Sequence, residues 1–480
     1  MKKICMFIMT VGILFTIMSC KKILNVTPQS EITGQEYFKN QGDFQPYLTG
    51  IYTEMRSFAN NVTYGEERSE ELIPASNARF SAAWSQILSP TVGALDYSSW
   101  YAAIGNCNLL LSQIKSFPFT SDTTKNRIEA ETYSLRAYFY FYLLRIIGDC
   151  PLMLQSISNA NVPLLPRSPA KDVMQQVLKD LDTAISLFPT TTYVSKYTFS
   201  YGSANALKAD VSLWNAKVLG AGATGFNDAL TAISNVEKTG VSLLSNFGNI
   251  TTVRANNEII LAAYYNKDET GNNYVVNALP FQSIVTGASN IDSIPYCLTS
   301  SYGQGAYQIS PLSRALFTNS NDKRIPYTWV EERDGNTYTF AWITKYPGNV
   351  YPSVGRVPDN DIIIYRLGGV DLMAAEAYAG LGNSSMAIQY LNKVRERAGT
   401  GDYSGSTDTA ALEKEILDER GRELFFENKR WYDLVRFYKG GTINIYNYIP
   451  NLIGKTTPIY WPLSTSVLSN NSKLVQTAGY

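Results

Sequence analysis

Ala204, Leu207, Val211, Trp214 and Val218 succeed one another in alternating steps of three and four. That spacing lines five apolar side chains along one stripe of an α-helix, a seam that must pack against another element. The period returns at Ile128, Leu135, Phe139, Tyr142 and Ile146, and again at Val173, Val177, Leu181, Ile185 and Phe188. Gly148 offers a left-handed end to the first of these helices and Pro151 a stop. Ser168 and Pro169 offer the second a cap and a first-turn proline, and Pro189 closes it. Residues 373–398 predict a helical hairpin: Ala375 and Tyr378 share a face, Gly382 breaks the chain, and Ala387, Leu391 and Val394 face back. Small residues at such offsets let antiparallel helices approach closely, the tetratricopeptide pattern. Residues 170–188 with 204–219 predict a further pair. The fold class expected is therefore mainly α, a scaffold of tetratricopeptide-like hairpins.

Two stretches leave this regime. Residues 60–99 and 251–361 are rich in Asn, Ser, Gly and Tyr, with little helical period. A run of over about a hundred residues is too long for one bare loop. Short β-hairpins and structured loops resting on the scaffold are expected instead. The chain then divides into a helical region, 20–250, carrying the insert 60–99; a loop-rich region, 251–361; and a C-terminal helical region, 362–480.

The start of the chain has its own logic. Lys2 and Lys3 precede an apolar run over residues 4–18, and Ser19 and Cys20 end it. A charged start, a short apolar segment and a small residue before the cut make a secretory signal, residues 1–19. The run is too short for a membrane-spanning helix, which needs roughly 20 residues. Cys20 directly after Ser19 resembles a bacterial lipoprotein box, in which the cysteine is acylated and becomes the first mature residue. Acyl chains there contribute about 0.8 kcal/mol per buried methylene, enough together to anchor the protein.

Composition excludes several chemistries. Lys+Arg and Asp+Glu both total 41, so no overall charge steers the chain to nucleic acid. Histidine is absent, which removes Ser-His-Asp and Cys-His arrangements and the usual catalytic-zinc ligands. Cys107, Cys150 and Cys297 show no metal-ligand spacing and read as small buried residues. The run Gly220-Ala221-Gly222-Ala223-Thr224-Gly225 fits the dinucleotide fingerprint by letter, but it follows a helical seam where a strand is required. It reads as a turn between two helices. Gly454-Lys455-Thr456 has the ending of a phosphate loop, yet Ile449 stands where the earlier glycine is needed. Nothing here calls for a cofactor or a metal.

One charge-dense segment remains. Glu419, Arg420, Arg422, Glu423, Glu427, Arg430, Asp433 and Arg436 lie among Ile416, Phe425, Phe426, Trp431 and Leu434. Arg430, Asp433 and Arg436 are three apart and are expected to form an ion-pair ladder. Carboxylates among so many arginines stay ionised, which suits structure and not proton transfer. The run 419–436, ERGRELFFENKRWYDLVR, resembles the C-terminal signature of SusD/RagB-type proteins. Thr33–Asn40 and Leu48–Tyr52 are similar to that family's opening, and Trp100–Asn108 to its second block. Leu135-Arg136-Ala137-Tyr138 with Gly148–Leu152 resembles its third, and Leu391–Gly399 the stretch before the signature. Asn428 stands where the family commonly has glycine.

The resemblance implies a surface lipoprotein anchored at Cys20 in the outer membrane. Its helical scaffold would cover a SusC-like TonB-dependent transporter, and its loop-rich face would capture oligosaccharide without catalysis. Stacking platforms expected on that face are Trp84, Tyr302, Trp329 and Trp342, with polar contacts from Glu66, Arg79 and Asp96. Trp100, Trp214 and Trp431 lie in helical blocks and are assigned to packing. Two alternatives stay open: a peptide-binding receptor of the same fold, and a surface glycoside hydrolase, which needs a carboxylate pair at catalytic separation.

Overall fold

The computed structural model describes residues 37–75, 81–156, 164–269 and 272–480. The expected signal segment, Cys20 and Arg79 lie outside the described residues. Helices α1 (Phe44–Ala59), α2 (Ser98–Ser116), α3 (Asp122–Ile147), α4 (Ala170–Leu187), α5 (Tyr201–Lys217) and α6 (Ala223–Glu237) build the first half of the scaffold. Helices α7 (Leu367–Gly380), α8 (Ser384–Ala398), α9 (Thr409–Glu423) and α10 (Arg430–Lys439) build the second. Helix α3 packs on α4, α5 on α6 and α7 on α8; α4 also meets α5, and α6 meets α7. This is a mainly α stack of tetratricopeptide-like hairpins.

One pairing differs from expectation. Helix α5 lies chiefly along α6, and its contact with α4 is secondary. The reason sits at Gly225, where an added Cβ would fall 2.8 Å from the Ser212 carbonyl. Only a glycine there lets the two backbones come so close. Gly220 and Gly222, with φ of 84° and 54°, turn the chain between these helices. The N–H groups of Ala221 and Gly222 close the end of α5 on the carbonyls of Asn215 and Ala216. The fingerprint-like run is thus a helix corner.

Helix α3 also exceeds its single predicted stripe. From Ser134 to Ile147 every side chain is buried, because α1, α2 and α4 surround it. Its charged residues survive by pairing: Arg136 with Asp180 at 2.7 Å, and Arg145 with Asp210 at 3.3 Å. Gly148 ends the helix with φ of 72°. Ser168 does not cap α4. Its backbone pairs with Cys150, which brings up Asp149, and that carboxylate takes the Ala170 N–H at 2.8 Å.

The loop-rich stretches carry strands β1 (Leu72–Pro74), β2 (Ile259–Ala263), β3 (Tyr307–Ile309), β4 (Trp329–Asp334), β5 (Thr337–Ile343), β6 (Asn349–Tyr351), β7 (Gly355–Val357) and β8 (Ile362–Arg366). They form two-stranded antiparallel ribbons: β1 with β3, β2 with β8, β4 with β5, and β6 with β7. Every residue of β2 and β8 is buried, so this ribbon fastens the region to the scaffold. Trp342 anchors a separate small core with Ala75, Val285, Ala288 and Ile294. Trp100, Trp214 and Trp431 are buried in the main core, and Cys107, Cys150 and Cys297 are buried free thiols.

Candidate functional site

The charge-dense segment points inward. Arg366 of β8 donates to Glu258, Glu423 and Glu427, and Arg324 to Asp322, Glu419 and Glu423. Arg436 binds Glu376 at 2.7 Å, and Arg420 binds Asp433 at 2.8 Å. Of the expected ladder only Asp433–Arg436 forms, at 3.0 Å; Arg430 turns to Glu70 at 2.6 Å and to the Leu417 carbonyl. Burial alone would raise the Glu376 pKa, but Arg436 and Lys217 outweigh it and hold the group at about 2. Burial is likewise outweighed at Glu423, where Arg397, Arg366 and Arg324 hold the pKa well below the usual value. These carboxylates stay charged and structural.

Glu66 is also interior, with no exposed surface. It lies in a turn over Thr63–Glu67, accepting the Asn428 N–H and the Tyr274 hydroxyl, the latter at 3.1 Å. Burial pushes its pKa up to about 7, and it shares a hydrogen bond with the buried Glu71 carboxyl. A group sealed this way cannot touch a ligand, so the expected contact role for Glu66 is corrected. Its partner Asn428 adopts φ of 59°, in the left-handed region that glycine enters most readily. Gly65 lies directly against it: an added Cβ would fall 2.5 Å from the Asn428 carbonyl oxygen.

Beside this junction Arg68 organises the insert. Its guanidinium sits between Trp431 and Trp461, 4.1 and 4.5 Å from the ring centres. It donates to Gln86 and to the carbonyls of Pro458 and Ile459. Gln86, at φ of 54°, returns its amide to the Arg68 carbonyl. The next contacts come from the C-terminal segment: Asn451, Lys455 and Thr457 donate to the carbonyls of Trp84, Ser85 and Gln86. A loop held on so many sides presents Trp84 half-exposed, its indole N–H fixed on the Leu72 carbonyl at 2.9 Å. Ser81, bonded to the Trp84 N–H, donates to Glu67 at 2.6 Å, and Tyr307 donates to the other Glu67 oxygen.

Tyr302 lies on the loop that leads into β3. The loop it rides on is hydrogen-bonded through Gln304–Tyr307 to residues 276–279, and Ala75 donates to the Ala306 carbonyl. Trp84, Tyr302 and Tyr307 are all half-exposed. The two remaining tryptophans part company. Val330 pairs with Trp342 and Trp329 with Ile343, so alternation sends them to opposite faces of the β4–β5 ribbon. Trp342 is fully buried, its indole N–H on Glu332 at 2.5 Å. It offers no face to a sugar, and its expected platform role is corrected. Trp329 is half-buried edge-on against Phe317, 4.9 Å between ring centres. Asp96 is exposed and accepts the Ser98 N–H at 2.9 Å, ahead of α2. Tyr307 and Glu67 were missed: nothing in sequence separates Glu67 from its acidic neighbours or ties Tyr307 to it. Among the described residues no group of three or more His, Cys, Asp and Glu could hold a metal ion.

A helical-hairpin scaffold with a loop face of fixed, half-exposed aromatics defines the class. Residues 313–480 match the SusD family model, and residues 22–213 match the model described as starch-binding and associating with the outer membrane. SusD-like protein P38 of Formosa agariphila is 27% identical over 503 residues, spanning 96% of each chain. The solved structure of B. fragilis NanU is 26% identical, with a TM-score of 0.81 over 95% of this chain and 100% of its own. A laminarin-binding SusD-like protein shares the fold at 22% identity, with a TM-score of 0.74 over 92% of this chain and 100% of its own. The chain belongs to the SusD/RagB family.

Proposed function

We propose that the protein is a lipid-anchored receptor of the outer membrane that captures oligosaccharides and hands them to a SusC-like TonB-dependent transporter. The half-exposed trio Trp84, Tyr302 and Tyr307 carries this reading, because it is set on backbone fixed from both sides. Sugar rings have apolar C–H faces that stack on aromatic rings and hydroxyl rims that hydrogen-bond polar groups. The relatives support the same reading: one family model is described as starch-binding, and one solved relative is named for laminarin. Acyl chains on Cys20 supply the tether in this proposal. No helix among the described residues is long and apolar enough to cross a membrane. The role is binding and not turnover: Glu66 and Glu71, whose pKa values burial raises, are sealed inside where no glycosidic bond can reach them.

Calorimetric titration with starch and laminarin oligosaccharides, and with peptides, tests the reading. Binding of a glycan is expected, lost by about tenfold or more in Trp84→Ala and Tyr302→Ala, both of which should still unfold in one cooperative transition. If peptides bind and glycans do not, or if both variants keep full affinity, the assignment is wrong.

A further inference from the structure

A cavity of about 630 Å³ opens between the C-terminal ends of α3 and α10 and the last residues of the chain. None of the aromatics of the loop face lines it. Its volume lies within the roughly 300–1,000 Å³ of small-molecule sites. Three tyrosines make its walls: Tyr438 and Tyr446 meet edge to face, 6.0 Å between ring centres, and Tyr460 lies against Gly148. The Tyr446 hydroxyl is committed to the Thr457 carbonyl at 3.0 Å. Those of Tyr438 and Tyr460 make no hydrogen bond among the described residues.

The charges around it do not balance. Lys439 and Lys473 line the cavity, exposed and without an ion pair among the described residues. Arg167 lines it too, but its donors go to the carbonyls of Asp149, Ile147 and Val475 and to the Thr477 hydroxyl. Burial lowers its pKa, as expected of a cation lacking a bound carboxylate. Against these three stands one carboxylate, Asp149, already engaged by the Ala170 N–H at 2.8 Å. The cavity therefore combines aromatic walls, two hydroxyls that no described residue engages, and a surplus of positive charge.

We infer that this cavity is a second sugar site, selective for a carboxylate-bearing residue such as a uronate, with the ring on the tyrosines and the carboxylate held by Lys439 and Lys473. The assignment rests on the receptor reading only in its ligand class. Simple anions would use the lysines but not the walls.

The test is calorimetry on the folded mature protein with digalacturonate, its neutral counterpart galactobiose, and sodium sulfate as competitor. Digalacturonate should bind, and galactobiose about tenfold more weakly, the scale of two exposed ion pairs. Lys439→Gln with Lys473→Gln should cost about the same factor, while Lys439→Arg with Lys473→Arg keeps the affinity. Raising salt should weaken binding. Trp84→Ala should leave it untouched, so failure of the loop face and failure of this cavity are told apart. Absence of digalacturonate binding, equal affinity for both disaccharides, displacement by sulfate at matching concentration, or indifference to the glutamine pair would each overturn the proposal.

Discussion

Gly65→Ala adds a single methyl group at the junction between the insert and the C-terminal signature. That carbon would fall 2.0 Å from the Asn428 Oδ1, 2.5 Å from its carbonyl oxygen and 2.7 Å from its carbonyl carbon. The amide can swing aside, but the carbonyl belongs to backbone at φ of 59° whose N–H is bonded to Glu66. Relief therefore means moving the loop and breaking that bond. Overpacking costs about 1–3 kcal/mol, and a buried hydrogen bond to an acidic group about 1.5–3 kcal/mol, so the sum is about 2.5–6 kcal/mol. Unfolding entropy of about 2.1 cal/mol/K per residue converts this to a fall of roughly 2.5–6 °C for a chain of this length melting as one unit. Gly50→Ala is the control, since Gly50 is an exposed position of α1 with nothing within 4 Å of an added Cβ. It should be neutral or stabilise by about 0.5–1 kcal/mol. Urea melts followed by tryptophan fluorescence would measure both, and equal midpoints for the two variants would refute the argument.

Arg68→Met should destabilise by about 2–4 kcal/mol in urea melts, since it leaves Gln86 and the carbonyls of Pro458 and Ile459 without their donor. Arg68→Lys should recover little of this, because one ammonium cannot reproduce a planar fork between two indoles. Stability should be bell-shaped in pH. The depressed pKa of Glu376, about 2, gives stability present above the ordinary value of 4.5 and lost as pH falls through 2. The raised values of Glu66 and Asp371, both about 7, give stability present below 4.5 and 3.8 and lost as pH rises through 7. Glu66→Gln should flatten the alkaline limb in melts from pH 5 to 8. Trp342→Phe removes the indole donor from the buried Glu332 and should cost about 1–3 kcal/mol by thermal melt while leaving glycan affinity unchanged.

The hairpin scaffold was readable because apolar spacing reports helices directly, as in the seam from Ala204 to Val218. What the period cannot report is how many neighbours a helix has. Arg136 and Arg145 stand nine residues apart, on opposite sides of α3, and only Asp180 and Asp210, far along the chain, make their burial tolerable. The loop face was harder. An unbroken ladder counted back from the pair Asp334–Thr337 would set Trp329 opposite Trp342. A register shift between Glu332 and Arg333 moves the pairing by one residue and separates them onto opposite sides. Glu66 and Glu67 are adjacent and chemically identical, yet one faces Tyr274 and Asn428 and the other Ser81 and Tyr307. Local sequence holds no sign of that difference.

The ion pairs around Arg324, Arg366 and Arg436 lie where dissolved salt does not penetrate. Counterions screen charges across water, over about 8 Å at physiological strength, and have little purchase on contacts sealed from it. The framework should therefore keep its shape from dilute buffer to brine. Anything gripped by the solvent-facing lysines would loosen along the same gradient, which makes ionic strength a dial for the cargo and not for the holder.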